Sequence, residues 1–147
     1  MFKHILVPTD GSELSQASVA NAVRLAATLG AQVTIYYAQP DFPMPIYGEG
    51  ALIDPTTPEQ FAQSAEAEAK AILARAKQLA DEANVAADTD TDVCEVPWEG
   101  IIDAANRHNC DLIFMASHGR RGIAGLLLGS EAQKVLSHSE IPVLIHR

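Results

Sequence analysis

The stretch MASHGRRGIAGLLLGSEAQ, residues 115–133, holds the residue types of this chain that best suit phosphate chemistry. Gly119 is followed by nine residues and then by Gly129 and Ser130. Glycine lets a backbone approach a ligand closely, the N–H groups of a helix N-terminus attract anions, and a serine hydroxyl adds a donor. The spacing therefore indicates an anion site or, alternatively, a loop followed by a helix that Ser130 caps in the ordinary way.

Better-known phosphate motifs are absent from this stretch. It has no G-x-x-x-x-G-K-[ST] pattern, and no G-x-G-x-x-G follows the first predicted strand. The formal net charge of −9 disfavours nucleic acid and anionic membranes as partners, but local N–H groups can still hold a small anion. We therefore expect a small anionic ligand, no nucleic acid and no membrane.

Metal sites are not expected. The four histidines outside the stretch show no i, i+4 pair, so a zinc site is disfavoured. Asp88, Asp90 and Asp92 lack the glycine and closing glutamate of a calcium-binding EF-hand loop, and we interpret them as solvated strand residues.

Strand-like and helix-like patterns alternate along the chain. Strands are predicted at 4–7, 31–38, 87–96, 111–116 and 141–146. Helices are predicted over 11–30 with Ser12 as N-cap and Gly30 as terminator, over 59–84, from Pro97, and from a Ser130 cap to about 137. This order predicts one domain, residues 1–147, of the α/β class: an open, doubly wound, five-stranded parallel sheet with helices on both faces.

Two joints of this predicted sheet carry glycine: PTDGS after the first strand and SHGRRGIAGLLLGS after the fourth. Ligands of such sheets bind at the carboxyl ends of strands, where the strand order reverses. The sequence therefore predicts a crevice between these two joints. The proline-rich segment 39–58 is predicted to be a flap near the ligand or a dimer partner.

The whole chain resembles the universal stress protein family, in its ATP-binding form. The family's nucleotide motif, G-x-x-G, nine residues, G-[ST], is similar to ASHG at 116–119, nine residues, then Gly129 and Ser130. ILVPTDGS and PVLIHR also resemble the family's first and last strands. Ala116 replaces the first motif glycine, which costs about 1 kcal/mol if that position needs a positive φ and little if it needs only a small side chain.

The resemblance implies an adenine nucleotide ligand: ATP, with ADP or AMP as alternatives, and Mg²⁺ as an accompanying ion. Asp10 would accept hydrogen bonds from ribose or from a metal-bound water, unless it is a turn residue that binds its own backbone. Ala38 and Met115 would line the adenine pocket or belong to the core. The implied nucleotide-binding residues are Pro8, Thr9, Asp10, Ala38, Met115, Ala116, His118, Gly119, Arg120, Gly129, Ser130 and Glu131.

No catalytic residue is predicted. Ser117 and His118 are not expected to face each other, because neighbours in a chain rarely do so as nucleophile and base, and no G-x-S-x-G elbow is present. Arg120 and Arg121 either close over the phosphates or lie solvated in the loop. We expect at most slow ATP hydrolysis; the alternatives are a nucleotide hydrolase or transferase on the same fold, and a protein-interaction module that binds no nucleotide.

The C-terminal strand within 141–147 is predicted to lie at a sheet edge, with Val143, Leu144 and Ile145 beside unpaired backbone groups. Pairing with a second copy across a two-fold axis would cover it, and the family resemblance implies the same homodimer. A stress-response role in the cytoplasm follows from the resemblance and from an N-terminus unlike a signal peptide.

Overall fold

In the computed structural model, residues 1–43, 56–119 and 128–147 are described. Strands and helices alternate through this part of the chain. In order they are β1 (His4–Pro8), α1 (Glu13–Leu29), β2 (Gln32–Gln39), α2 (Pro58–Glu82), β3 (Ala87–Val93), α3 (Pro97–Arg107), β4 (Leu112–Ala116), α4 (Ser130–His138) and β5 (Val143–His146).

The predicted fold is confirmed. All strand pairs are parallel, and the strand order in the sheet is β3-β2-β1-β4-β5. The chain therefore builds outward from β1 through β2 and β3, then returns to the other side of β1 with β4. The order reverses between β1 and β4, so the joints that follow these two strands meet at the switch point, as the sequence predicts.

Two hydrophobic clusters hold the helices against the two faces of the sheet. Successive residues of a strand point to opposite faces, so Ile5 and Val7 belong to one cluster with residues of α1 and α2. Leu6, between them, belongs to the other cluster with residues of α3 and α4. All three side chains are fully buried, so β1 is the centre of both cores and a rigid base for the joint that follows it.

Helix α1 has the local signals that its sequence predicts. The Ser12 hydroxyl accepts a hydrogen bond from the Ser15 N–H at 3.2 Å, and Gly30 ends the helix with a φ of 67°. The predicted ends of β3 and β5 are less accurate. Strand β3 ends at Val93 because the chain turns there toward Pro97, the first residue of α3, and β5 begins only at Val143.

Asp90 and Asp92 of β3 are not simply solvated, which corrects the sequence interpretation of these two residues, whereas Asp88 is exposed. The Arg107 guanidinium donates to Asp90 at 2.5 Å and to Asp92 at 2.7 Å, and His108 Nε2 lies 2.8 Å from Asp90 Oδ2. These residues join the C-terminal end of α3 to an edge strand. No spacing rule reveals the contact, because it depends on how α3 packs over the sheet.

Asp111 attaches β1 to the chain entering β4, and this predicts acid sensitivity. Its carboxylate accepts backbone hydrogen bonds from Lys3 at 2.9 Å and His4 at 3.0 Å. Burial raises the pKa of this carboxyl, but the two N–H donors outweigh burial and leave the pKa below its ordinary value. The stabilisation is therefore present above the unfolded pKa of about 4 and is lost as the pH falls through the lower folded pKa.

Asp111→Asn is expected to lower the free energy of unfolding by about 1 kcal/mol at neutral pH, since it removes a charged acceptor. The difference from wild type should shrink as the pH falls below about 4, where the carboxyl becomes protonated first in the unfolded chain and then, at lower pH, in the folded protein. Urea denaturation across this pH range measures both effects. Asp103→Asn, at an exposed position of α3, is the control, and a pH-independent Asp111→Asn difference would contradict the account.

Within the described residues, no helix combines the length and apolar character that crossing a membrane requires.

Candidate functional site

The joint between β1 and α1 is held by a set of short hydrogen bonds. The Thr9 N–H donates to the Tyr36 carbonyl at 2.9 Å, which extends the β1–β2 pairing by one residue. The Thr9 hydroxyl lies 3.0 Å from the Ser15 hydroxyl and accepts the Gly11 N–H at 3.2 Å. Gly11 has a φ of 80°, which a glycine adopts without strain. The joint is therefore a fixed turn.

Two contacts of the Asp10 side chain together define one side of the site. Its Oδ1 accepts the Ser12 N–H at 2.9 Å, so the turn role considered for this residue is present. Its Oδ2 lies against Gly119, because a Cβ built on Gly119 would overlap that oxygen. The joints after β1 and β4 therefore touch at Asp10 and Gly119, and a side chain at position 119 would displace the Asp10 carboxylate.

Gly129 forms the other side of the site. Its N–H donates to the Ser117 carbonyl at 2.6 Å, so the N-terminus of α4 lies directly on the end of β4. A Cβ on Gly129 would lie 2.9 Å from that carbonyl oxygen and 3.4 Å from the Cα of His118. Glycine is therefore required at position 129 so that the start of α4 can pack against the end of β4, whether or not a ligand binds there.

Ser130 does not cap α4, and that expectation from the sequence is wrong. The N-cap is Gly129, in an extended conformation and without a side-chain cap, while Ser130 is the first helical residue. The reason is the hydrogen bond from Gly129 to Ser117, which fixes where the helix begins. The Ser130 side chain is exposed beside the N-terminus of α4.

Glu131 has a structural role that the sequence analysis missed. Its Oε2 accepts the backbone N–H of Trp98, in the first turn of α3, at 2.8 Å. Val96, the N-cap of α3, supplies no side-chain acceptor. Glu131 therefore caps α3 from α4 and joins two helix N-termini. The sequence gives one sign of such a contact. Valine precedes the predicted helix start at Pro97 and cannot cap it, so an acceptor from elsewhere in the chain is needed.

Glu131→Ala is expected to lower the free energy of unfolding by about 1 kcal/mol, the usual cost of losing an N-cap acceptor. Chemical denaturation measures this value. Glu140→Ala removes an exposed carboxylate just after α4 and is the matched control. Equal stability of the two variants would show that the Glu131–Trp98 contact contributes nothing.

Ala116, which replaces the first glycine of the family motif, has no backbone strain. It is the last residue of β4, pairs in register with His146 and is 8% exposed. Among the described residues, Asn84 and Asn109 are the non-glycine positions with positive φ. The cost considered for alanine at a left-handed position therefore does not arise.

The remaining predicted site residues fall into two groups. Pro8 ends β1 in a buried position, Met115 is buried in the second cluster, and Ala38 packs against that cluster. These three are core residues at the carboxyl ends of their strands. Arg120, Arg121 and most of segment 39–58 lie outside the described residues.

Ser117 and His118 do face each other, contrary to expectation. The Ser117 hydroxyl lies 2.8 Å from His118 Nδ1. Ser117 is only 1% exposed, and its N–H donates to the His146 carbonyl at 2.7 Å. A hydroxyl buried in this way is closed to a substrate, so the pair is a packing arrangement and not a nucleophile with its base.

Two open grooves flank β3, away from this site. One, of about 310 Å³, lies between α2 and the ends of β2 and β3 and has a mainly apolar lining. The other, of about 450 Å³, lies between β3 and α3, and its acidic lining repels anions. Its carboxylates belong to Asp92, Glu95, Glu99 and Asp103.

The chain is similar in sequence to the proteins of one known family. The sequence profile of the universal stress protein family matches residues 1–147. A universal stress protein of Methanocaldococcus jannaschii is 30% identical, and the match covers 99% of this chain and 82% of that protein. The stress response protein NhaX of Bacillus subtilis is 32% identical, with 96% of this chain and 95% of NhaX covered.

Solved structures show the same fold. A universal stress protein in complex with cAMP superimposes with a TM-score of 0.71 at 28% identity, covering 99% of this chain and 97% of the other. Two further universal stress proteins of this fold, at lower identity, are in complex with dAMP, from Archaeoglobus fulgidus, and with AMP, from Arabidopsis thaliana.

Proposed function

Because the chain belongs to the universal stress protein family, we propose that it binds an adenine nucleotide, ATP with Mg²⁺, at the switch point of its sheet. The nucleotide occupies the crevice between residues 9–11 and the glycines at 119 and 129. The observation that carries the proposal is the contact of Gly119 with the Asp10 carboxylate, which brings the two glycine-bearing joints together.

The N-terminus of α4 supplies donors for phosphate. The first intrahelical bond there runs from the Gln133 N–H to the Gly129 carbonyl, so the N–H groups of the preceding residues have no acceptor within the helix. Those N–H groups belong to Ser130, Glu131 and Ala132. Together with the Ser130 hydroxyl they suit an anion. The Glu131 side chain is held at α3, so only its backbone serves the ligand.

A divalent cation fits the charge balance of the proposed site. The Asp10 carboxylate and a phosphate chain beside Gly119 are both anionic and repel each other. Mg²⁺ prefers oxygen ligands and usually keeps several of its waters. A hydrated Mg²⁺ bound to the phosphates offsets this repulsion, and Asp10 accepts hydrogen bonds from its water or from the ribose.

The choice of an adenine nucleotide is supported by the relative at 28% identity that was solved with cAMP. A triphosphate is proposed because the motif at 116–119 and 129–130 resembles the nucleotide motif of the family's ATP-binding form. The role that follows is that of a homodimeric regulatory module in the stress response, in the cytoplasm, with no nucleic acid partner. We expect hydrolysis to be at most slow.

Mass spectrometry of nucleotide released from the purified, denatured protein is the first test, and ATP or ADP is the expected ligand. Equilibrium dialysis with labelled ATP then measures affinity with and without Mg²⁺. Steady ATP turnover that Asp10→Ala or Ser130→Ala abolishes would favour a nucleotide hydrolase or transferase instead. Absence of any binding would favour a protein-interaction module.

A further inference from the structure

Ser117 is held at each of its polar groups. Its N–H donates to the His146 carbonyl at 2.7 Å, its carbonyl accepts the Gly129 N–H at 2.6 Å, and its hydroxyl lies 2.8 Å from His118 Nδ1. The residue is 1% exposed. It thus connects β5, the start of α4 and the His118 ring at one point, and its hydroxyl has a fixed position relative to the switch point.

This contact orients the imidazole of His118. The two nitrogens of the ring point in divergent directions, so Nε2 faces away from a group bound at Nδ1. His118 is half-buried and its Cα borders Gly129, while the next residue, Gly119, borders Asp10. The backbone of His118 therefore lies between the two joints that form the crevice, and Nδ1 of its ring lies against Ser117.

We propose that Ser117 is a positioning residue whose hydroxyl donates to His118 Nδ1, so that His118 carries its proton on Nε2 and donates it to a nucleotide phosphate. This inference rests on the proposed function. A neutral imidazole has one donor and one acceptor nitrogen, and the partner at one nitrogen fixes which is which. The opposite tautomer would turn a lone pair toward the phosphate and weaken its binding.

The burial of Ser117 favours a hydrogen bond between its hydroxyl and the His118 ring. A buried hydroxyl without a partner loses the hydrogen bonds it made to water, so Ser117 gains from the imidazole acceptor as the ring gains from the fixed donor. The chain also contains a natural comparison. The Ser18 hydroxyl of α1 is fully buried and has no hydrogen-bond partner. Ser18→Ala thus removes a buried serine hydroxyl without touching an imidazole.

The test compares ATP and adenosine binding to wild type, Ser117→Ala and Ser18→Ala. Ser117→Ala is expected to weaken ATP binding about two- to fivefold, because only part of the His118 rings then carry the proton on Nε2, and to leave adenosine binding unchanged. Ser18→Ala should bind both ligands as wild type does. In a His118→Ala background, the Ser117→Ala substitution should have no further effect on ATP.

Nitrogen-15 NMR of the imidazole rings provides a second readout that does not need a variant to fold. Wild-type His118 is expected as the Nε2–H tautomer, and Ser117→Ala should give a mixture of tautomers. An Nδ1–H tautomer in wild type would overturn the inference. So would equal losses of ATP and adenosine binding, or a Ser117→Ala effect that persists without His118.

The two proposals fail in different ways. Wild-type protein that binds neither ATP nor adenosine would overturn the proposed function and, with it, the role of His118 toward phosphate. Wild-type protein that binds ATP, with Ser117→Ala matching it for both ligands, would overturn only the positioning role of Ser117.

Discussion

Gly129→Val is expected to weaken ATP binding at least tenfold, a loss of about 1.4 kcal/mol, and to lower thermal stability as well. A Cβ at this position lies 2.9 Å from the Ser117 carbonyl oxygen, a backbone atom that cannot rotate away. The N-terminus of α4 must therefore move off the end of β4. That movement displaces the N–H groups proposed to hold the phosphates.

Isothermal titration calorimetry with ATP, together with a thermal melt, measures both effects of Gly129→Val. Adenosine should lose much less affinity than ATP, because it makes no contact at the start of α4. Gln133→Val introduces the same side chain at an exposed position of α4 and is the matched control. A folded Gly129→Val protein with wild-type affinity for ATP would show that the phosphates do not bind at the N-terminus of α4.

The protein is expected to be a dimer of about twice 15.7 kDa, and Val143→Pro is expected to convert it to the monomer. Strand β5 lies at one edge of the sheet, as predicted, and Leu144 is 37% exposed on it. The other edge, β3, carries Asp88, Asp90 and Asp92, and charged side chains discourage edge-to-edge pairing. Strand β5 carries no acidic or lysine side chain, so it is the edge left to pair.

The register of β5 determines which substitution tests this pairing. The carbonyls of Pro142 and His146 accept hydrogen bonds from β4, so residues 142, 144 and 146 direct their backbone groups into the sheet. Val143 and Ile145 direct theirs outward, where a second copy would pair. Proline at Val143 thus removes an outward donor and spares the pairing with β4, whereas proline at Leu144 would break that pairing.

Light scattering at micromolar concentration measures the mass. Val93→Pro is the matched control, because the Cys94 N–H donates to the Gln39 carbonyl and the neighbouring Val93 N–H points outward on the β3 edge. Val93→Pro should remain a dimer. A monomeric wild type, or a Val143→Pro variant that is folded and still dimeric, would show that β5 is not the interface.

Local patterns along the chain are sufficient to predict the elements and their order. Ser12 and Gly30 mark the ends of α1 through hydrogen bonds and a backbone conformation that involve only nearby residues. Apolar runs such as HILV and DLIFMA identify buried strands, and right-handed crossovers then restrict how strands and helices are arranged. The fold and the meeting of the joints after β1 and β4 follow from these local and topological rules.

The contacts between residues at those joints depend on the packing of separate elements and could not be predicted. Gly119 meets Asp10 and Glu131 caps α3 across long sequence separations, so no local pattern encodes either contact. Gly129 rather than Ser130 begins α4 because its N–H bonds to the end of β4. Spacing fixes which residues reach one edge of a sheet, whereas close packing between separate elements fixes which of their atoms touch.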